Sequence, residues 1–137
     1  MKTIFVLTCI VAVALAKNLP NLPENERVKL AQVHQSCQSD PKTYCDESKL
    51  RNLVNNIDDP VVGTHMMCMA VKAGLMKSNG DFDLGTMKNK ISLVINDQSK
   101  VDGLVKKCSH KTDNLGKTAN LMWVCFVQND IQYYHKL

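Results

Sequence analysis

Apolar residues recur at steps of three and four along almost the whole chain, with polar residues between them. Leu30, Val33 and Cys37 share one face of a helix expected from about Pro23 to Ser39. A shorter helix is expected from Asp46 or Glu47 to Asn56, with Leu50, Val54 and Ile57 inward. A third begins near Pro60 and carries Val62, Met66, Met69, Ala73 and Met76 on one face. Asp83 is placed as the N-cap of a fourth, with Leu84, Met87, Ile91 and Val94 in register. The fifth follows Asp97 and turns Val101, Leu104, Val105 and Cys108 inward, and the sixth runs from Lys117 towards Tyr134, burying Ala119, Met122, Cys125 and Phe126. Turn signals separate them: "SDPKT", "DDP", "SNGDFD", "NDQS" and "TDNLGK". No stretch alternates with period two for long enough to make a strand. The expected class is all-α, with six short helices. Isolated helices of this length are marginal in water, so packing and cross-links must hold them.

The first residues change the picture of where such a chain works. "MKTIFVLTCIVAVALAKN" has Lys2, an apolar run from Ile4 to Ala16, and the small-residue pattern Ala14-Leu15-Ala16. That run is too short to span a bilayer and reads as a secretory signal peptide, residues 1–16, cleaved after Ala16. Residues 17–137 are expected to form a single domain of a secreted protein with no stable membrane insertion. The formal charge of +4 falls by one when Lys2 leaves, and basic and acidic residues alternate, as in "NERVKL" and "DESKLR". Alternation describes solvated helix faces, and with few aromatics to stack on bases it argues against a nucleic-acid partner.

Cys9 leaves with the leader, so Cys37, Cys45, Cys68, Cys108 and Cys125 enter an oxidising compartment. Five is odd: at least one thiol is free or bridges to another chain. Without Cys45 the frame is Cys37, thirty residues, Cys68, thirty-nine residues, Cys108, sixteen residues, Cys125. This frame resembles the insect odorant-binding and pheromone-binding protein family. Members usually carry six cysteines paired first–third, second–fifth and fourth–sixth. The second and fifth would fall here at Thr64 and Gly116, and losing both partners of one bridge together is the mark of the family's minus-C branch. The spacing before Cys125 is slightly short for the family, and Cys45 is an addition.

The resemblance implies six helices enclosing an internal apolar cavity, with bridges Cys37–Cys68 and Cys108–Cys125 and a free Cys45. The helical reading is compatible with both pairs, since Cys37 and Cys68 face inward and Cys108 and Cys125 lie on consecutive helices. A Cys45–Cys68 bridge with Cys37 free stays an alternative. Asp40, Asp46 and Glu47 should keep a free Cys45 protonated and slow to react, despite Lys42 and Lys49. The protein is expected to be a monomer or weak homodimer, with a Cys45-linked dimer as a variant of the latter.

The stretch "THMMCMAVKAGL" holds three methionines and Cys68 in four positions. His65, Met66 and Met69 could ligate copper(I), but the bridge claims Cys68, the fourth ligand, and apolar packing explains the spacing without a metal. The His65-x-x-Cys68 step also occurs in secreted phospholipases A2, but Met66 stands where that chemistry needs an aspartate, and no other catalytic motif appears. No enzyme activity, metal or cofactor is expected. In the family, the helix bearing the third cysteine lines the cavity, where methionine adapts to ligands of different shape. Position relative to the cysteines then implies Leu30, Met66, Ala70, Met76, Val101, Val105, Met122 and Phe126 as wall residues, and periodicity adds Met87 and Ile91. Ordinary core packing explains each equally well. Trp123 either reaches the pocket or packs outside it. "IQYYHKL" forms a frayed helix end or, less favoured, a lid. The expected partner is a small hydrophobic ligand, such as an odorant or pheromone, carried in sensillum lymph or haemolymph. Alternatives are a general lipid carrier of the same fold and a secreted protein with a solid core whose surface does the work.

Overall fold

Acidic and amide side chains start most of the helices. In the computed structural model, which describes residues 21–137, the expected signal peptide lies outside the described residues. The helices are α1 Glu24–Ser39, α2 Glu47–Arg51, α3 Pro60–Lys72, α4 Leu84–Val94, α5 Val101–Cys108 and α6 Leu115–Gln128. Asp46, Asp59, Asp83 and Asn114 each accept a backbone N–H in the first turn of α2, α3, α4 and α6. Pro60 at the start of α3 costs nothing, because its missing N–H would be unpaired there. Asp97 instead caps a 3₁₀ turn, Gln98–Lys100, which runs straight into α5. The fold is all-α, as the periodicity predicts, and among the described residues the β pairing is one isolated bridge, Met76 to Phe82.

Two disulfides brace the helices: Cys37–Cys68 ties α1 to α3, and Cys108–Cys125 ties α5 to α6. Cys45 is free and fully buried, so the Cys45–Cys68 alternative falls. Its burial also shields the sulfur from solvent. Burial first, then Asp59, push its thiol pKa up, and Lys49 offsets this only in part.

α3 packs chiefly on α6, α1 lies against α3, and α4 pairs with α5. The α3–α6 crossing is close because two glycines meet. A Cβ on Gly63 would lie 2.9 Å from the Gly116 Cα, and a Cβ on Gly116 would lie 2.9 Å from the Gly63 Cα. Thr64 and Gly116, where the family's second bridge would sit, line one cleft. A backbone-to-backbone contact therefore occupies the place of that cross-link. Gly116→Ala should cost about 1–3 kcal/mol, since backbone has to shift to admit one methyl. An unchanged urea midpoint for that variant would show that the two helices separate freely.

Four element boundaries and faces differ from the periodic reading. α3 stops at Lys72 and does not carry Met76, because Gly74 takes a left-handed conformation (φ 81). There Gly74 N–H bonds Val71 O and Leu75 N–H bonds Ala70 O, a Schellman ending. Met76 reaches the core from the following turn. α2 is one and a half turns long and gives way to a 3₁₀ turn, Leu53–Asn55. Asn55 and Asn56 side chains bond Asn52 there, competing with helical bonds, and Val54 ends 51 % exposed instead of inward. Leu84, the first residue of α4, is 54 % exposed, since a side chain there leans back beyond the helix end. α6 ends at Gln128, not near Tyr134.

That last ending sets the site. Asp130 adopts φ 54, Ile131 N–H bonds Phe126 O and Asp130 N–H bonds Val127 O, again the Schellman pattern. Ile131 and Phe126, both fully buried, make the apolar contact that accompanies it. Residues 129–137 thus fold back over the molecule and do not fray.

Candidate functional site

The returning segment is pinned by a buried polar cluster. Tyr133, fully buried, donates its hydroxyl to Glu26 Oε2 at 2.8 Å. Lys90 Nζ pairs with the other carboxylate oxygen and lies 5.8 Å from the centre of the Tyr133 ring. Burial resists ionisation of Glu26, but Lys90 and Tyr133 more than offset it and hold the carboxyl below its usual range. Burial, then the Glu26 bond, push the Tyr133 phenol well up, so it remains a donor.

Beneath that segment lies a partly enclosed cavity of about 410 Å³. His34 of α1, Leu50 and Arg51 of α2, Leu53 and Val54, and His65, Met66 and Met69 of α3 form one side. Trp123, Val124 and Val127 of α6 form another, and Tyr134, His135, Lys136 and Leu137 complete it. The volume falls in the range of small-molecule pockets. Trp123 is buried and donates its indole N–H to Met66 O at 3.0 Å, stitching α6 to α3 behind the cavity. Val54, Val127 and Leu137 are each about half exposed at 51, 43 and 47 %, leaving an apolar rim.

Three histidines converge here. His34 and His65 each stand one helical turn before a half-cystine, so the Cys37–Cys68 bridge draws them together, ring centres 5.4 Å apart. His135, from the returning segment, stacks on His34 at 4.6 Å. His34 Nε2 donates to Glu47 Oε1 at 3.0 Å, and that bond holds the Glu47 carboxyl below its usual range. His65, fully buried, places Nδ1 2.9 Å from the Thr43 carbonyl, while its Nε2 has no partner. Burial pushes the His65 pKa down, with His34 adding to it and Thr43 and Glu47 opposing. His135 is lowered by burial and then by His34.

Of the ten wall residues expected from sequence, Met66 lines this cavity. Leu30, Ala70, Met76, Met87, Ile91, Val101, Val105, Met122 and Phe126 are buried against one another in the main core. Periodicity identifies the inward face of a helix, and that face serves a packed core and a cavity wall alike. Arg51 and Leu53 were not foreseen as lining, and the returning segment corresponds to the less favoured lid expected of "IQYYHKL". The histidine spacing from the cysteines was a usable signal. No group of three or more metal-binding side chains fit to hold an ion occurs among the described residues, and no helix there is long and apolar enough to cross a membrane.

Short helices braced by two disulfides around an apolar cavity define a class of small all-α binding protein. The chain belongs to the PBP/GOBP family, whose model matches residues 20–129; members of that family are binding carriers and not enzymes. It is similar to the B1 protein of Tenebrio molitor, 22 % identical over 116 residues that cover 85 % of this chain and 89 % of that one. No solved structure matches it.

Proposed function

We propose that the protein is a secreted carrier that binds and transports small hydrophobic ligands, odorants, pheromones or similar semiochemicals, through extracellular fluid. In this reading residues 1–16 direct secretion and residues 17–137 form the one ligand-binding domain. The observation that carries it is the 410 Å³ cavity with its apolar wall and half-exposed apolar rim, in a chain of this family. Binding is transfer of apolar surface out of water. Each methylene buried contributes about 0.8 kcal/mol, so a chain of about ten carbons reaches micromolar affinity after association costs.

A fluorescent apolar probe should bind and be displaced by such molecules. Met66→Asp, which sets a carboxylate in the apolar wall, should weaken probe binding at least about tenfold while circular dichroism shows the helices intact. Normal probe binding by a folded Met66→Asp protein would move the site elsewhere. A parent protein that takes up no probe would end the carrier reading.

A further inference from the structure

One buried polar atom in the cavity wall has no partner, and its chemistry selects the ligand, a selection that rests on the carrier reading. His65 is fully buried, lines the cavity, and leaves Nε2 without a partner. Buried polar atoms are nearly always paired, so an orphan in a cavity wall is a place for a ligand atom. Its neighbour fixes what that atom must be. A backbone carbonyl only accepts, so the 2.9 Å contact between Nδ1 and Thr43 O puts the proton on Nδ1. In a neutral imidazole Nε2 then carries a lone pair and can only accept.

The surroundings keep the ring neutral. It is out of water, with His34 5.4 Å away and His135 stacked on the far neighbour, and the nearby carboxylate, Glu47, is already bonded to His34. His34 itself turns its Nε2–H to Glu47 and does not satisfy His65. Two cationic side chains, Arg51 and Lys136, are exposed and line the same cavity, which disfavours an ammonium group. An ionised carboxylate accepts only and would set lone pairs against Nε2.

We infer that the preferred ligand is a neutral amphiphile whose polar end donates a hydrogen bond, an aliphatic or phenolic alcohol, with its hydroxyl given to His65 Nε2. Aldehydes, esters and ethers of the same length lack that proton. They fill the apolar wall equally well but leave two acceptors facing each other.

The test displaces a bound apolar fluorophore from the purified protein at neutral pH, using a primary alkanol of about ten carbons, its methyl ether and the matching aldehyde. The alkanol should compete about tenfold better than either, the ratio that one net hydrogen bond supplies. His65→Phe should bring the three to equal potency while still binding the fluorophore. That variant also orphans the Thr43 carbonyl and can fail to fold, so a second measurement uses the parent protein. Nitrogen NMR should find His65 protonated at Nδ1, with the Nε2 resonance shifted by the alkanol and not by the ether. Equal potency of alkanol and ether, or a proton on Nε2, overturns the inference and leaves the carrier reading standing. Failure of the fluorophore to bind at all overturns both.

Discussion

Replacing Cys37 and Cys68 together by serine is expected to cost about 3–4 kcal/mol of stability and to abolish probe binding near neutral pH. The partners are 31 residues apart, and closing a loop of that length in the unfolded chain accounts for the magnitude by chain entropy. Against a total of about 5–15 kcal/mol for a domain, that loss moves the urea midpoint far. Binding suffers beyond stability because the bridge is what sets His34 and His65 against each other on α1 and α3. The pair Cys108–Cys125, 17 residues apart and between α5 and α6, should cost slightly less when removed and spare the probe site at low denaturant. Urea unfolding of both double variants, followed by probe titration under conditions where each stays folded, separates the two roles. Equal loss of binding from the two would show that the first bridge has no special hold on the cavity.

The α-helices were legible because the apolar period is local and strong, and because Asp59 and Asp83 cap helix starts where the pattern marks them, whereas α6 begins two residues before the expected Lys117, capped by Asn114. The bridges were legible through the family resemblance that the cysteine frame carries, which also left Cys45 as the odd thiol. The end of α6 was not. "NDIQYYHKL" holds neither glycine nor proline, and Ile131 and Tyr134 continue a helical step, so nothing in the period forbids extension. What stops the helix is Asp130 accepting a left-handed conformation, tolerable for Asp, and the gain from burying Ile131 and Tyr133. That gain depends on Glu26 and Lys90, over a hundred and about forty positions away from Tyr133 in sequence. Long-range pairing of this kind has no local signature. Most of the cavity lining escaped for the same reason: it joins α2, α3 and α6 to a segment whose return was only the less favoured of two expectations.

Acid is expected to weaken binding of a purely apolar probe at least about tenfold between neutral pH and about pH 5, the range in which histidines switch. His65 and His135 both have pKa values pushed below the ordinary histidine value by burial. The native state therefore holds them neutral, while the unfolded chain protonates them near 6.5. Stability from this source is complete above about 6.5 and declines as pH falls from there towards the folded pKa values. A proton added to either ring meets His34, and Arg51 and Lys136 add positive charge around the cavity, with Glu47 opposing. His135 belongs to the segment that roofs the cavity, so charging it repels the roof from α1. Glu47 acts in a lower window: its carboxyl is held down by His34, and that contribution is lost only as pH falls through its own depressed value. The two effects are thus separable by pH. The double variant His65→Gln, His135→Gln should keep most of its probe affinity at about pH 5, while the parent loses it. Probe titrations across this range, with helix content followed in parallel, make the comparison. The same acid-induced loss in the double variant would reject the assignment to His65 and His135, since Glu26 and Glu47 are held below the usual carboxylate range and act only at lower pH.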